Sequence, residues 1–201
     1  MRPLLALLLL TAGCAATLPA VQPVDVTEAP ALRATRCGDV TAVFRGSTPD
    51  SSAPLSIFVD SLMFRFPDGE RDFRPTGQVA APHVSLEVFS PDCAFVALAQ
   101  DSVGPLHFVK VSELAAYLDG RAAPGIVKSP AGSILTDGRW VSPTRFEFFA
   151  SCCGGVEVFQ ADVAFPASPQ RVFFAPQAPA GVRRTEKGYE AITSARSPVA
   201  P

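Results

Sequence analysis

Four cysteines in the body of the chain, Cys37, Cys93, Cys152 and Cys153, are the residues best suited to covalent chemistry. An even number permits complete pairing, with three possible connectivities. The adjacent pair is the unusual feature. A bond between sequence neighbours closes a strained eight-membered ring, which is uncommon and tends to mark a function. The alternative joins Cys152 and Cys153 to Cys37 and Cys93, tying distant strands together, and this long-range pairing is the expected one. Zinc held by the four thiolates is a further option, but no Cys-x-x-Cys spacing is present. The two histidines, His83 and His107, each follow a proline closely at a strand entrance. Neither has a local acid or thiol partner, so both are expected to be structural or surface residues. Asp68, Glu70 and Asp72 alternate over five residues. A calcium loop needs more oxygen ligands in a fixed order, and Arg71 and Arg74 intrude here, so a charged hairpin tip is expected. The chain has no Gly-x-Ser-x-Gly elbow, no His-Glu-x-x-His, no P-loop and no dinucleotide glycine fingerprint. No catalytic, cofactor-binding or metal-binding residue is therefore assigned.

A fifth cysteine stands apart. Met1-Arg2-Pro3 is followed by an apolar run from Leu4 to Leu10, then Thr11-Ala12-Gly13-Cys14. A spanning helix needs about 20 apolar residues. This run is roughly half that and ends at small residues, the size of a signal h-region with its cleavage zone. The segment resembles the lipobox of bacterial lipoproteins, with Thr11 where leucine is commonest. The resemblance implies removal of 1–13, diacylglycerol on the Cys14 sulfur and an acylated new amino terminus. Two or more chains hold stably where one holds only marginally. Ala15 and Ala16 follow without an aspartate, which by the same resemblance implies the outer membrane of a Gram-negative cell. Residues 14–35 are rich in Ala, Pro, Thr and Val without a period and read as a flexible tether. At roughly 3.3 Å per residue it reaches about 70 Å when fully extended.

The elements that position the remaining residues are strands. Val40–Arg45 and Leu55–Phe66 are β-branched and aromatic, and the second runs into the turn Pro67-Asp68-Gly69. Val84, Leu86 and Val88 alternate with polar residues. Phe95–Ala99 is apolar at every position, the pattern of a strand covered on both faces. Leu106–Val111, Trp140–Ala150, Val156–Ala161 and Arg171–Ala175 complete the set, with Cys152-Cys153-Gly154-Gly155 joining the longer pair. One short helix is expected at Ser112–Leu118, with Ser112 as N-cap and Gly120 just past its end. The prediction is an all-β antiparallel fold over 36–175 and a largely irregular tail over 176–201. The second half is aromatic-rich, and most of those rings belong in a core. Phe149 and Phe159, if strand alternation turns them outward, form an interaction surface.

Two units are similar. Phe89-Ser90-Pro91-Asp92 precedes Phe95-Val96-Ala97-Leu98 and His107-Phe108-Val109-Lys110-Val111. Val141-Ser142-Pro143-Thr144 precedes Phe146-Glu147-Phe148-Phe149 and Val156-Glu157-Val158-Phe159. Ser90 and Ser142 stand 52 residues apart, near a propeller-blade period. The units resemble the β-propeller repeats of Tol-system and tryptophan-aspartate-repeat proteins, whose strands enter through a Ser-Pro-Asp-Gly turn. Cys93 stands where the glycine is usual, and Thr144-Arg145 replaces Asp-Gly in the second copy. Closure takes at least four blades of about 40 residues, more than the folded region supplies. The resemblance therefore implies two or three blade-like units packed together, with a β-sandwich as the equal alternative.

The net charge of −2 offers no electrostatic footprint for nucleic acid. The chain is thus expected to be a cell-envelope lipoprotein with a non-enzymatic interaction or scaffold domain. Its partners would be the membrane, through the lipid, and an envelope protein. The alternative is a small periplasmic hydrolase or ligand-binding protein whose site is assembled only in three dimensions.

Overall fold

Alternation of apolar and polar residues, interrupted by proline and glycine turns, folds the chain into antiparallel sheets. The computed structural model describes residues 20–24, 31–47, 58–75, 79–80, 88–100, 104–128, 134–152, 155–176 and 181–192. Strands β1 (Gln22–Val24), β2 (Ala31–Cys37), β3 (Val40–Ser47), β4 (Phe58–Phe66) and β5 (Gly69–Phe73) lie side by side in that order, and β6 (Val79–Ala80) pairs with the start of β4. A second sheet contains β7 (Phe95–Ala99), β8 (Leu106–Lys110) and β9 (Gly125–Val127). The third contains β10 (Ile134–Ser142), β11 (Arg145–Cys152), β12 (Gly155–Asp162) and β13 (Gln170–Ala175). A hairpin of β14 (Gly181–Thr185) and β15 (Gly188–Ile192) follows. All pairings are antiparallel, so the expected all-β architecture is what the chain forms.

The sheets stack face to face. Strand alternation sends Val96, Leu98 and Val109 of the second sheet toward Ala42, Phe44, Leu62, Phe64 and Phe73 of the first. The opposite face carries Ala97, Leu106, Phe108 and Val127 against Trp140, Phe146, Phe148, Phe159 and Ala161 of the third. Phe95–Ala99 is therefore covered on both sides, as its unbroken apolar run requires. Each fully buried phenylalanine contributes about 1.5–3 kcal/mol, and Phe44, Phe64, Phe108, Phe146 and Phe148 all lie in the two seams. The helix α1 (Leu114–Leu118) closes the first seam with Leu114. A 3₁₀ turn, Val111–Glu113, precedes it, so Ser112 lies inside the turn and no side chain caps the helix. Gly120 ends it at φ +73, a conformation natural to glycine.

Among the described residues the two similar units differ in extent: Phe89 makes an isolated bridge to Val96 ahead of the β7–β8 hairpin, whereas β10 pairs with β11 along much of its length ahead of β12. The two are joined where the Trp140 indole N–H donates to the Val88 carbonyl at 3.3 Å. The sheets form an open stack in chain order, and no ring of blades closes among the described residues.

Several expectations need correction. Trp140–Ala150 is not one strand, because Pro143-Thr144 turns the chain between β10 and β11. The Ser142 hydroxyl accepts the Thr144 N–H at 3.4 Å there, and Val163 N–H donates to the Thr144 carbonyl at 2.9 Å. The tether is not uniformly irregular: Gln22–Val24 adds to the edge of β2 through Gln22↔Arg36, Pro23↔Thr35 and Val24↔Ala34. An edge strand tolerates Pro23 and needs no hydrophobic period. Within the tail, 181–192 forms β14 and β15, whose Arg183–Glu190 ion pair at 2.7 Å stands where an apolar pattern would have announced strands. Val84 and Leu86, His83 and residues 55–57 lie outside the described residues, as does Cys14. No helix among the described residues is long and apolar enough to cross a membrane.

Candidate functional site

The most concentrated polar chemistry surrounds Glu147. On β11, Phe146, Phe148 and Ala150 point into the core, so the intervening Glu147 and Phe149 point to the opposite face. Register places Arg139 of β10 and Gln160 of β12 on either side of Glu147, a polar row across three strands. Above it lies the β14–β15 hairpin, where Arg184 and Tyr189 are themselves a register pair. Arg139 Nε and Arg184 Nε donate to Glu147 Oε1 at 3.2 and 2.5 Å. Gln160 Nε2 donates to Oε2 at 3.2 Å, and the Tyr189 hydroxyl donates to the same oxygen. Glu147 is 1 % exposed. A carboxylate offers about four acceptor positions, and all four are occupied from within the protein.

Aromatic contacts complete the seam. The Arg184 guanidinium lies 4.4 Å from the Phe149 ring centre, and Tyr189 sits 6.4 Å from Phe149 and 5.5 Å from Phe173. Burial by itself pushes the Glu147 carboxyl upward. The hydrogen bonds from Tyr189, Arg184 and Gln160, with the Arg184 charge, outweigh it and hold the carboxyl below the usual carboxylate range. Tyr189 is pushed up by burial and by the Glu147 charge. Glu147 therefore stays ionised with no lone pair to offer a substrate. Its chemistry is to dock the hairpin.

A pH dependence follows. Glu147 titrates lower folded than unfolded, so its stabilisation is fully present above the unfolded value, about 4.3. It is lost as pH falls through the lowered folded value. Amide exchange of 181–192 at graded pH is expected to lose protection below the usual carboxylate range and to stay flat from there to neutrality.

His107 lies on β8 facing α1. Its Nδ1 is 2.7 Å from the Tyr117 hydroxyl and 3.3 Å from Gln100 Nε2, and the His107 and Tyr117 rings meet edge-on at 5.9 Å. Burial pulls the imidazole down and pushes the Tyr117 hydroxyl up. His107 thus meets a phenol and an amide, which suits a half-buried structural histidine. At the β4–β5 tip, Asp68 accepts two Arg71 N–H groups at 3.0 and 2.9 Å, and Glu70 accepts Arg65 Nε at 2.9 Å. Asp72 lies 3.6 Å from Arg74, and Arg71 reaches Asp119 at 3.0 Å. The three acids thus sit in arginine pairs, Asp68 held below its ordinary range chiefly by Arg71.

Cys37 and Cys93 are bonded to each other, with Cα atoms 5.5 Å apart. The expected pairing of each with Cys152 or Cys153 is thereby corrected. The geometry arises locally: Gly38, at φ +57, reverses β2 into β3 just after Cys37. The Ser90 turn presents Cys93 opposite, both sulfurs buried in the first seam. In that turn the Ser90 hydroxyl accepts the Phe95 N–H at 2.9 Å and donates to Asp92 Oδ1 at 2.7 Å, while Cys93 N–H donates to the Ser90 carbonyl at 2.8 Å. Cys93 has φ 61, the left-handed conformation for which glycine is the usual residue. Cys152 ends β11 and is register-paired with Gly155; Cys153 lies outside the described residues.

The expected surface of Phe149 and Phe159 is also corrected. Register pairs Phe159 with Phe148, and the rings stack at 5.7 Å in the core seam. Phe149 points the other way, beneath the hairpin. Both are buried, on opposite faces of one sheet. The exposed aromatic of this sheet is instead Phe174, 51 % exposed on β13, with Val172 beside it at 42 %. The Arg171 guanidinium lies 5.5 Å from the Phe174 ring.

Sequence reasoning missed Glu147 and its partners. The available signal was a charge inside the aromatic run Phe146-Glu147-Phe148-Phe149, which demands a buried counter-charge. Compared with known proteins, the chain matches no protein-family model, and no curated protein is similar enough to count as a relative.

Proposed function

We propose that the chain is a cell-envelope lipoprotein, anchored through Cys14 at the outer membrane, whose β-stack is a non-enzymatic interaction or scaffold domain for another envelope protein. The observation that carries this reading is the β13 edge. β13 ends its sheet, and its outer side has no strand partner among the described residues. Val172 has no register partner, since the pairing slips between Val158 and Phe159. An edge with exposed apolar side chains is a template for pairing with another chain. The buried polar groups support the non-enzymatic side of the proposal, because Glu147 and His107 are both engaged by residues of the protein itself.

The test is recovery of the native, membrane-anchored chain with its bound partners, beside a Val172→Lys/Phe174→Glu variant. Both positions are exposed, so the thermal transition should hold while partner recovery falls by about tenfold or more, the loss that 1.4 kcal/mol brings. Equal recovery by a folded variant would remove the edge from the account. Labelling with an alkyne fatty acid tests the anchor. Incorporation is expected in the natural chain and absent in Cys14→Ser; label persisting in that variant would contradict the lipobox reading.

A further inference from the structure

We infer that Gln100, Tyr117 and His107 form a pH-sensitive latch, which fixes α1 to β8 at neutrality and loosens it in mild acid. The directions of the hydrogen bonds carry the inference. Gln100 Nε2 can only donate, and it lies 3.3 Å from the Tyr117 hydroxyl oxygen and 3.3 Å from His107 Nδ1. The Tyr117 hydroxyl owns one proton, and among the described residues its partners are this amide nitrogen and Nδ1, the latter 2.7 Å away. The amide nitrogen offers no lone pair, so the phenol proton goes to Nδ1. Nδ1 is therefore bare, and the neutral imidazole carries its proton on Nε2. Each group is then matched: the amide donates to the phenol oxygen and the phenol donates to the ring.

A further proton reverses this arrangement. It comes from solvent and binds at Nδ1, where it turns the acceptor into a donor. Three donors then converge on one phenol oxygen, and the Tyr117 proton is left without an acceptor. Among the described residues no carboxylate bonds the ring to offset the new cation. The register partners of His107 are Leu98 of β7 and Ile126 of β9, and the first sheet meets this seam with Phe44, Leu62 and Phe73. On the helix side Arg71 and Arg121 engage Asp119, and Lys110 engages Glu113. Tyr117 is thus the titratable group that faces the imidazole among the described residues. Burial pulls the imidazole down, so the folded value lies below the unfolded one, about 6.5. The contribution of the latch is fully present above the unfolded value and is lost as pH falls through the lowered folded value. The Arg71–Asp119 pair at 3.0 Å holds the far end of α1 to β5, and Arg121 and Arg71 keep the Asp119 carboxyl below its ordinary range. Mild acid therefore leaves that attachment in place and frees the β8 side alone.

The test follows the full chain from about pH 7 to about pH 5, the range in which imidazoles titrate, by histidine-ring NMR and by amide exchange corrected for intrinsic rates. A His83→Gln variant identifies the His107 ring as the one that remains. That ring should titrate below the ordinary imidazole value. The Asp119, Gly120 and Arg121 amides donate to the Ala115, Tyr117 and Ala116 carbonyls. Their protection should fall by about tenfold over the same range, the scale of one buried donor left without an acceptor, while protection of β12 stays constant. His107→Gln keeps a neutral acceptor for the phenol proton and should hold the helix amides at one level throughout. A ring that titrates at or above the ordinary value, helix protection unchanged across the range, or a loss that persists in His107→Gln would each overturn the inference.

Discussion

Replacing Glu147 with alanine is expected to release the β14–β15 hairpin while leaving the two inner seams intact. The substitution removes the acceptor for Arg139, Arg184, Gln160 and Tyr189 together. Breaking a buried ion pair by deleting one partner costs about 3–5 kcal/mol. Arg139 is 42 % exposed and Arg184 20 %, so water takes up part of the orphaned charge and the lower end, about 3 kcal/mol, applies. Protection of the 181–192 amides should fall by roughly two orders of magnitude, since 1.36 kcal/mol is tenfold. Amides of β7 and β8 should be unaffected, because Phe149 and Val158 lie on the face turned away from that sheet. Glu147→Gln retains the shape without the charge and should fall between the two. A double-mutant cycle with Arg184→Ala should give strong coupling, as residues in one network do not add independently. Unchanged exchange of 181–192 in Glu147→Ala would show that the aromatic contacts alone hold the hairpin.

The second large effect concerns the Cys37–Cys93 bond, which closes a loop of sequence separation 56. In the chain-entropy account, removing a crosslink of that length costs about 4 kcal/mol. The replacement chosen for Cys93 should matter. At φ 61 an ordinary L-residue bears a steric cost of roughly 1–2 kcal/mol that glycine escapes. Cys37→Ala/Cys93→Gly should therefore be more stable than Cys37→Ala/Cys93→Ala by about 1 kcal/mol, although the glycine variant lacks even a methyl group. Denaturant midpoints of the two variants decide this, and the reverse order would mean that the turn relaxes once the bond is gone.

What the sequence could disclose follows from the range of the interactions. Val96, Ala97 and Leu98 are legible because burial on both faces leaves an uninterrupted apolar run. The Ser90 turn is legible because its hydrogen bonds lie within five residues. Gly120 marks the helix end through its own backbone, while Ser112 misled because a 3₁₀ turn took up the capping position. The Glu147 cluster was hidden for the opposite reason. Arg184 and Tyr189 lie 37 and 42 residues further on in a segment rich in charge, and no local pattern connects them to β11. Phe149 and Phe159 misled through register. Across the hairpin Phe159 pairs with Phe148 and Phe149 with Val158, so the two rings fall on opposite faces, and no local pattern specifies that register.

The proposal that this stack presents a surface at its β13 edge is tested most directly by a photoreactive residue at position 174 in the membrane-anchored chain, with position 187 in the exposed β14–β15 turn as the control. Irradiation in the producing cell should give a discrete adduct with another envelope protein from position 174 and none from 187. No adduct at 174, or the same adducts from both positions, would contradict the account.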